Sequence, residues 1–206
     1  MSEKLVLHEF SLSGNCYKVR LTAALLGIPI ERREYDLMKG ETRTPEFLSR
    51  VNSNGRVPVL QVGDRFIPES NAAAYYIADS SRLIPADRFD HADTLRWMSW
   101  EQYNHEPNIA TLRFWMRWFG EANLSEAQRL QLDPKRAAGN AALKLMDDHL
   151  ENRDWFVGRE MSLADICLFA YTHVAGEADF RLNAFPNVAE WIGRVESEPG
   201  FIPMEA

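Results

Sequence analysis

The alternation of hydrophobic and polar positions changes character about eighty residues into the chain. Leu5 to Phe10 is a short apolar-rich run with the make-up of a strand, and Ser11 to Asn15 is a polar turn. CYKVRLTAALLG follows, and its apolar spacing and closing Gly27 predict a helix. Ile30 to Asp36 mixes Ile and Tyr with charges, as an edge strand does. Val57 to Val62 and Arg65 to Ile67, joined by Gly63-Asp64, predict a β-hairpin with a tight turn. Ser70 is the expected N-cap of a helix through NAAAYYIADS. The order is strand, helix, strand, connecting loop, two strands and a helix, a compact three-layer α/β pattern.

From about Asp90 the strand signals stop, and Ala, Leu, Met, Trp, Glu, Gln and Arg, which favour helices, take over. Helices are expected near 90 to 118, interrupted or kinked at Pro107, and near 125 to 152, 162 to 176 and 187 to 197. The third has the clearest start, with Ser162 as N-cap, Asp165 at the third helical position, and Met161 and Ile166 placed as a hydrophobic staple. The expected organisation is an α/β domain over 1–80, a linker over 81–89 that holds Pro85, and an all-helical domain over 90–206.

Composition narrows the function. At 206 residues the chain has room for one large or two modest domains. With 46% hydrophobic and 26% charged residues, and no apolar run near the roughly 18 to 20 a membrane span needs, it is not expected to enter a membrane. Nothing in MSEKLVLHEFSLSG reads as a secretory signal, so cytoplasm is the expected location. Only Cys16 and Cys167 are present, without metal-ligand spacing, which argues for reduced thiols and against a disulfide framework or a metal site. A net charge of −7 and an isoelectric point near 5.3 disfavour nucleic acid as a partner.

Three constellations in the first eighty residues bear on chemistry. SLSGNC sets hydroxyls at a helix N-terminus, where unpaired N–H groups and a partial charge of roughly +0.5 favour an anion. Helix capping by Ser13 or Asn15 is the plainer use of these residues. In NSNGRVPVL, Pro58 cannot donate to a ladder, so Val57-Pro58 belongs at an edge or bend; a cis bond there would leave the Val57 backbone open to an extended peptide. In PES, Ser70 and the N–H groups after it suit a carboxylate, and Glu69 suits an amine. An amino acid head group needs both.

Ser13 followed by Val19-Arg20-Leu21, the run Asn52 to Leu60, Glu69-Ser70 opening a helix, and SLADI at 162 to 166 together resemble the soluble glutathione transferases, in order and spacing over nearly the whole chain. The resemblance is to a bacterial serine-type enzyme with theta- and zeta-like features. It implies a thioredoxin-like glutathione-binding domain followed by a helical domain. It also implies that Ser13, seven residues before Arg20, is the catalytic hydroxyl, and that Arg56, Val57, Glu69 and Ser70 bind glutathione, Val57 through its backbone. Asn15 stands where beta-class enzymes carry a catalytic Cys, which excludes that class; it joins the glutathione-binding set through relatives with disulfide-reductase activity. Ser162 and Asp165 match the family's capping box, and with Pro58 they are structural.

The implied reaction is attack of a glutathione thiolate on a hydrophobic electrophile, with no metal and with a homodimer as the working unit. Leu25, apolar on an otherwise polar helix face, also points to such a dimer. A glutathione-dependent disulfide reductase or peroxidase, and a non-enzymatic binding protein on the same scaffold, are the alternatives. The second-substrate pocket is expected to draw on Tyr103 and His105 near Pro107, amid aromatic residues that are otherwise core. Cys16, in the first helical turn, shares a stripe with Val19, Ala23 and Leu26, which makes it a buried structural thiol.

Overall fold

The computed structural model describes residues 4–206 and divides the chain into two compact units. The first holds the described residues up to Leu83 together with Glu198–Ala206; the second is Ile84–Ser197. The boundary between the two units follows Leu83. The last nine residues, however, belong to the α/β unit and not to the helical one.

The first unit runs β1 (Leu5–Glu9), α1 (Gly14–Leu25), β2 (Glu31–Glu34), α2 (Pro45–Arg50), β3 (Val59–Val62), β4 (Arg65–Pro68) and α3 (Ser70–Ala78). The sheet order is β2-β1-β3-β4, with β1 and β2 parallel and the other pairs antiparallel. Because side chains alternate across a strand, Leu7, Leu60 and Val62 share one face and pack with Val19, Ala23, Ala73 and Ile77 of α1 and α3. His8, Gln61 and Phe66 point to the opposite face, beneath α2. The short α2, unforeseen in the connecting loop, starts with Thr44, whose hydroxyl accepts from the Phe47 N–H, and Pro45 in its first turn.

The last nine residues are held by α1 and its surroundings. The Tyr17 hydroxyl donates to the Ile202 carbonyl at 2.6 Å. Arg20 donates to the carbonyls of Met204 at 2.8 Å and Ala206 at 3.0 Å, while its Nε lies 3.0 Å from the wholly buried Glu9 carboxylate. Arg32 also pairs with Glu9 and donates to Ala206. Gly200, with φ of 90°, lies so close that a Cβ there would meet the Ala24 carbonyl oxygen at 3.0 Å. Leu25 is covered and only 7% exposed, so it no longer speaks for a dimer.

The second unit comprises α4 (Arg88–Trp100), α5 (Glu106–Trp118), α6 (Glu126–Arg129), α7 (Leu132–Leu150), α8 (Leu163–Thr172) and α9 (Pro186–Glu196). The interruption expected at Pro107 lies upstream of it. Glu101–His105 forms a single π-helical turn, closed by the Glu106 N–H on the Glu101 carbonyl. Proline lacks the donor that would meet the Tyr103 carbonyl, and its ring crowds the preceding turn, which widens to take the strain. The helix expected over 125 to 152 is two helices for the same reason, since Pro134 has no N–H for the Leu130 carbonyl. α8 ends at Thr172, four residues early, and a 3₁₀ turn, Ala175–Ala178, follows.

The core of this unit is aromatic. Phe156 meets Trp97 at 4.8 Å and Trp191 at 5.0 Å, both edge-on. Asp165, wholly buried at the start of α8, accepts from Ser162 N at 2.8 Å, Ser162 Oγ at 2.9 Å, Phe156 N at 3.0 Å and Trp191 Nε1 at 3.0 Å. The expected capping box is therefore also the junction of α8 with α9.

His173 gives this unit an acid-sensitive element. Its ring stacks on Phe169 at 4.4 Å and its Nδ1 meets the Phe169 carbonyl oxygen at 2.8 Å, while burial depresses its pKa to about 4. The unfolded chain, with a histidine pKa of about 6.5, binds the extra proton first. Stability is therefore full above about pH 6.5 and is lost as pH falls towards 4, by up to about 3 kcal/mol. Burial shifts His8 and His149 in the same direction. Urea midpoints read at pH 7 and pH 5 are expected to show the loss, and His173→Gln is expected to flatten it; an unchanged slope in that variant would contradict the assignment.

Candidate functional site

Strand register gathers the predicted residues at one end of the sheet. Val59 pairs with both His8 and Pro68. Val57 therefore lies at the end of the sheet where β1 runs out into Phe10 and where β4 passes into the Glu69-Ser70 turn. Ser11 to Ser13 follow directly from Phe10 into α1.

Ser13 is the N-cap of α1, with extended backbone (φ −81°, ψ 124°), and its Oγ accepts from the Cys16 N–H at 3.4 Å. This long bond uses a lone pair of the hydroxyl and not its proton. The turn is fixed from both sides. Ser11 N donates to Glu34 at 2.8 and 3.1 Å, and the Ser11 carbonyl accepts from Arg20 Nη2 at 2.6 Å.

Asn15 and Ser70 meet directly: the Ser70 hydroxyl donates to Asn15 Oδ1 at 3.0 Å. The N-termini of α1 and α3 are thereby joined across 55 residues of sequence. Ser70 is not the N-cap expected of it. Glu69 holds that position, and Ser70 is the first helical residue, because Glu69 adopts φ of 72° and ψ of 117°. A non-glycine residue in that region costs of order 1 to 3 kcal/mol, and such strain collects at functional turns. Lys18 was not foreseen as part of this junction. It is wholly buried, and its Nζ donates to Asn71 Oδ1 at 3.1 Å. The signal lay in its spacing, one helical turn beyond Asn15 and opposite the residue after Ser70.

The Val57-Pro58 bond is cis, and Pro58 is buried just before β3, outside the ladder. Val57 is half-buried, and among the described residues its backbone makes no hydrogen bond. Arg56 is exposed; its carbonyl accepts from Asn52 Nδ2 at 2.9 Å. In the same loop Gly55 has φ of 62°, and a Cβ there would lie 2.7 Å from the Arg43 guanidinium.

Cys16 is wholly buried, and burial pushes its thiol up to about 12, so it carries no thiolate near neutral pH. Of the two pocket candidates, Tyr103 is 84% exposed and His105 is wholly buried. The Nε2 of His105 lies 2.9 Å from the Thr172 hydroxyl inside the helical unit. His105 is a core residue and leaves the pocket set; it closes the π turn, which directs it inward. Among the described residues no helix is long and apolar enough to cross a membrane, and no group of three His, Cys, Asp or Glu side chains is close enough to hold a metal ion.

Comparison with known proteins gives this geometry a context. Family models described as Glutathione S-transferase, N-terminal domain, and Glutathione S-transferase, C-terminal domain, match residues 5–79 and 111–199. The glutathione S-transferase-like protein LUC7 of Fusarium sp. is 30% identical over 207 residues, covering 93% of this chain and 89% of its own. Elongation factor 1-gamma 3 of Oryza sativa subsp. japonica is 28% identical across 96% of this chain, which spans only 47% of that protein's length. A crystal structure of glutathione S-transferase from Pseudomonas fluorescens superposes with a TM-score of 0.92 at 38% identity, covering 98% of this chain and 99% of that one. With a thioredoxin-like unit and a helical unit matching both halves of the same relatives, the chain belongs to the glutathione S-transferase family.

Proposed function

We propose that this protein is a serine-type glutathione transferase of the cytoplasm, working as a homodimer, which binds glutathione and ionises its thiol for attack on a hydrophobic electrophile. The observation that carries the reading is the Ser70–Asn15 hydrogen bond, which joins the Ser13 turn to the Glu69-Ser70 turn. Glutathione offers a γ-glutamyl head with an ammonium and a carboxylate, an extended peptide backbone, and a thiol. The open Val57 backbone suits the peptide, the α3 N-terminus the carboxylate, Glu69 the ammonium, and the Ser13 hydroxyl the sulfur. Exposed Arg56 suits a terminal carboxylate.

In this reading Ser13 is a hydrogen-bond donor to the sulfur and not itself a nucleophile. The test is a panel with glutathione against aryl halides, epoxides, organic peroxides and mixed disulfides. Turnover of an aryl halide or epoxide supports conjugation; turnover confined to peroxides or disulfides replaces it with the reductase reading. Binding of glutathione without any turnover would make the protein a binding module.

The head-group assignment has its own test. Glu69→Ala is expected to weaken glutathione at least about tenfold, from the loss of a charge-assisted bond. Ser70→Ala is expected to do less, because that hydroxyl is already donated to Asn15. Calorimetry decides it, and unchanged affinity in both variants removes the head-group site.

A further inference from the structure

The face of the sheet opposite α1 and α3 carries a cavity of about 360 Å³ under α2. It uses none of the residues assigned to glutathione. His8 forms its inner wall, Tyr35, Phe47 and Phe66 its aromatic sides, and Arg33 and Arg50 reach it from β2 and α2. We propose that this cavity binds a small aromatic carboxylate, its one or two fused rings between the aromatic walls and its carboxylate on the two guanidinium groups.

The walls are a built assembly. Tyr35 packs edge-on against Phe47 at 4.9 Å, and His8 stacks on Tyr35 at 5.7 Å and leans on Phe66 at 5.8 Å. Their polar edges are satisfied among themselves. Gln61 Nε2 donates to the Gly63 carbonyl at 2.8 Å, so its Oε1 faces His8 and accepts from Nε2–H at 3.0 Å. His8 Nδ1 then accepts the Tyr35 hydroxyl proton at 2.8 Å. With its tautomer fixed and its charge disfavoured by burial, His8 is a neutral inner wall.

The mouth has the opposite character. Arg33 lies against the Tyr35 hydroxyl and forms no ion pair among the described residues. Glu46 lines the cavity as well, but its contact with Arg50, at 3.5 Å, is exposed and of the kind that contributes little, so the two guanidinium groups outnumber the one carboxylate at the mouth. Planar guanidinium forks recognise carboxylates in pairs of hydrogen bonds. A volume near the lower end of the roughly 300 to 1,000 Å³ range of small-molecule sites suits a single ring or a fused pair.

The test is calorimetry on the full chain with 2-naphthoate, its neutral analogue 2-naphthylmethanol, and inorganic phosphate, each with and without saturating glutathione. The expected result is saturable binding of 2-naphthoate that glutathione does not displace. The alcohol and phosphate are expected to bind at least about tenfold more weakly, and exposed Arg33→Ala to cost at least about tenfold for the carboxylate alone. Phe66→Ala is expected to weaken naphthoate while circular dichroism stays unchanged. Absence of binding, displacement by glutathione, equal binding of phosphate, or unchanged affinity in Arg33→Ala would each overturn the proposal. None of these outcomes depends on whether the protein conjugates glutathione.

Discussion

Replacing Ser13 with alanine is expected to slow turnover near neutral pH by roughly ten- to a hundredfold while leaving glutathione affinity almost unchanged. A free thiol with a pKa of about 8.5 is only slightly ionised at pH 7, and lowering that pKa by about two units requires roughly 2.7 kcal/mol. A hydrogen bond to a charged group contributes roughly 1.5 to 3 kcal/mol, and a helix N-terminus about 0.3 to 1 more. One hydroxyl at the start of α1 is therefore sufficient. Its removal raises the bound thiol by one to two pKa units, so activity is expected to recover in part at higher pH. If Ser13 only caps α1, stability falls by about 1 kcal/mol and the pH profile stays in place. The measurement is thiolate absorbance of bound glutathione against pH in Ser13→Ala, Asn15→Ala and Cys16→Ala. Cys16 is the control least able to move the profile, since its buried thiol stays protonated.

The largest effect on stability is expected at Asp165. Its carboxylate is the common acceptor for two backbone N–H groups, a serine hydroxyl and the Trp191 indole, all in the interior of the helical unit. Truncation to alanine leaves these donors without a partner, at about 1 to 3 kcal/mol for each group that water cannot reach. Relaxation and water entry offset part of the sum, and a net loss of about 4 kcal/mol is expected, at the upper end of single-residue effects. Asp165→Asn keeps an acceptor but turns an amide N–H₂ towards other donors, and about half that loss is expected. All six tryptophans lie between residues 97 and 191, so their fluorescence during urea unfolding reports on this unit. A midpoint shift below about 1 kcal/mol for Asp165→Ala would show that the four bonds do not hold α8 to α9.

Much of this architecture was legible in the sequence because its signals are local. The Leu5 to Phe10 strand, the Gly63-Asp64 hairpin and the Ser162–Asp165 box depend on residues within a few positions of one another. What escaped depends on partners far away or on backbone geometry without a sequence signature. Glu69 takes the cap position from Ser70 through a positive φ that nothing in PES announces. The Phe201 to Ala206 segment has no periodicity; it is fixed by Arg20, more than 180 residues earlier. α2 is too short for a hydrophobic period to show. His105 lies in an aromatic stretch where one added residue of helix decides which side chains turn inward. The bond between Asn15 and Ser70 could be anticipated only from the order of motifs along the chain, since no local rule relates two polar residues so far apart.

The π turn between α4 and α5 also determines which length changes the helical unit can absorb. A π turn holds one residue more than the α-helical path would need, and each residue accounts for about 100° of rotation about the axis. Deleting a single residue from Glu101–His105 would let the backbone close onto a continuous α-helical path, with only the carbonyl facing the proline left without a backbone donor. The same deletion would swing Ile109 and Leu112, wholly buried on α5, about a quarter-turn out of the interior. Here a shortened variant is expected to retain its helix content and lose its packing, and circular dichroism in the far ultraviolet would miss the damage that side-chain signals report.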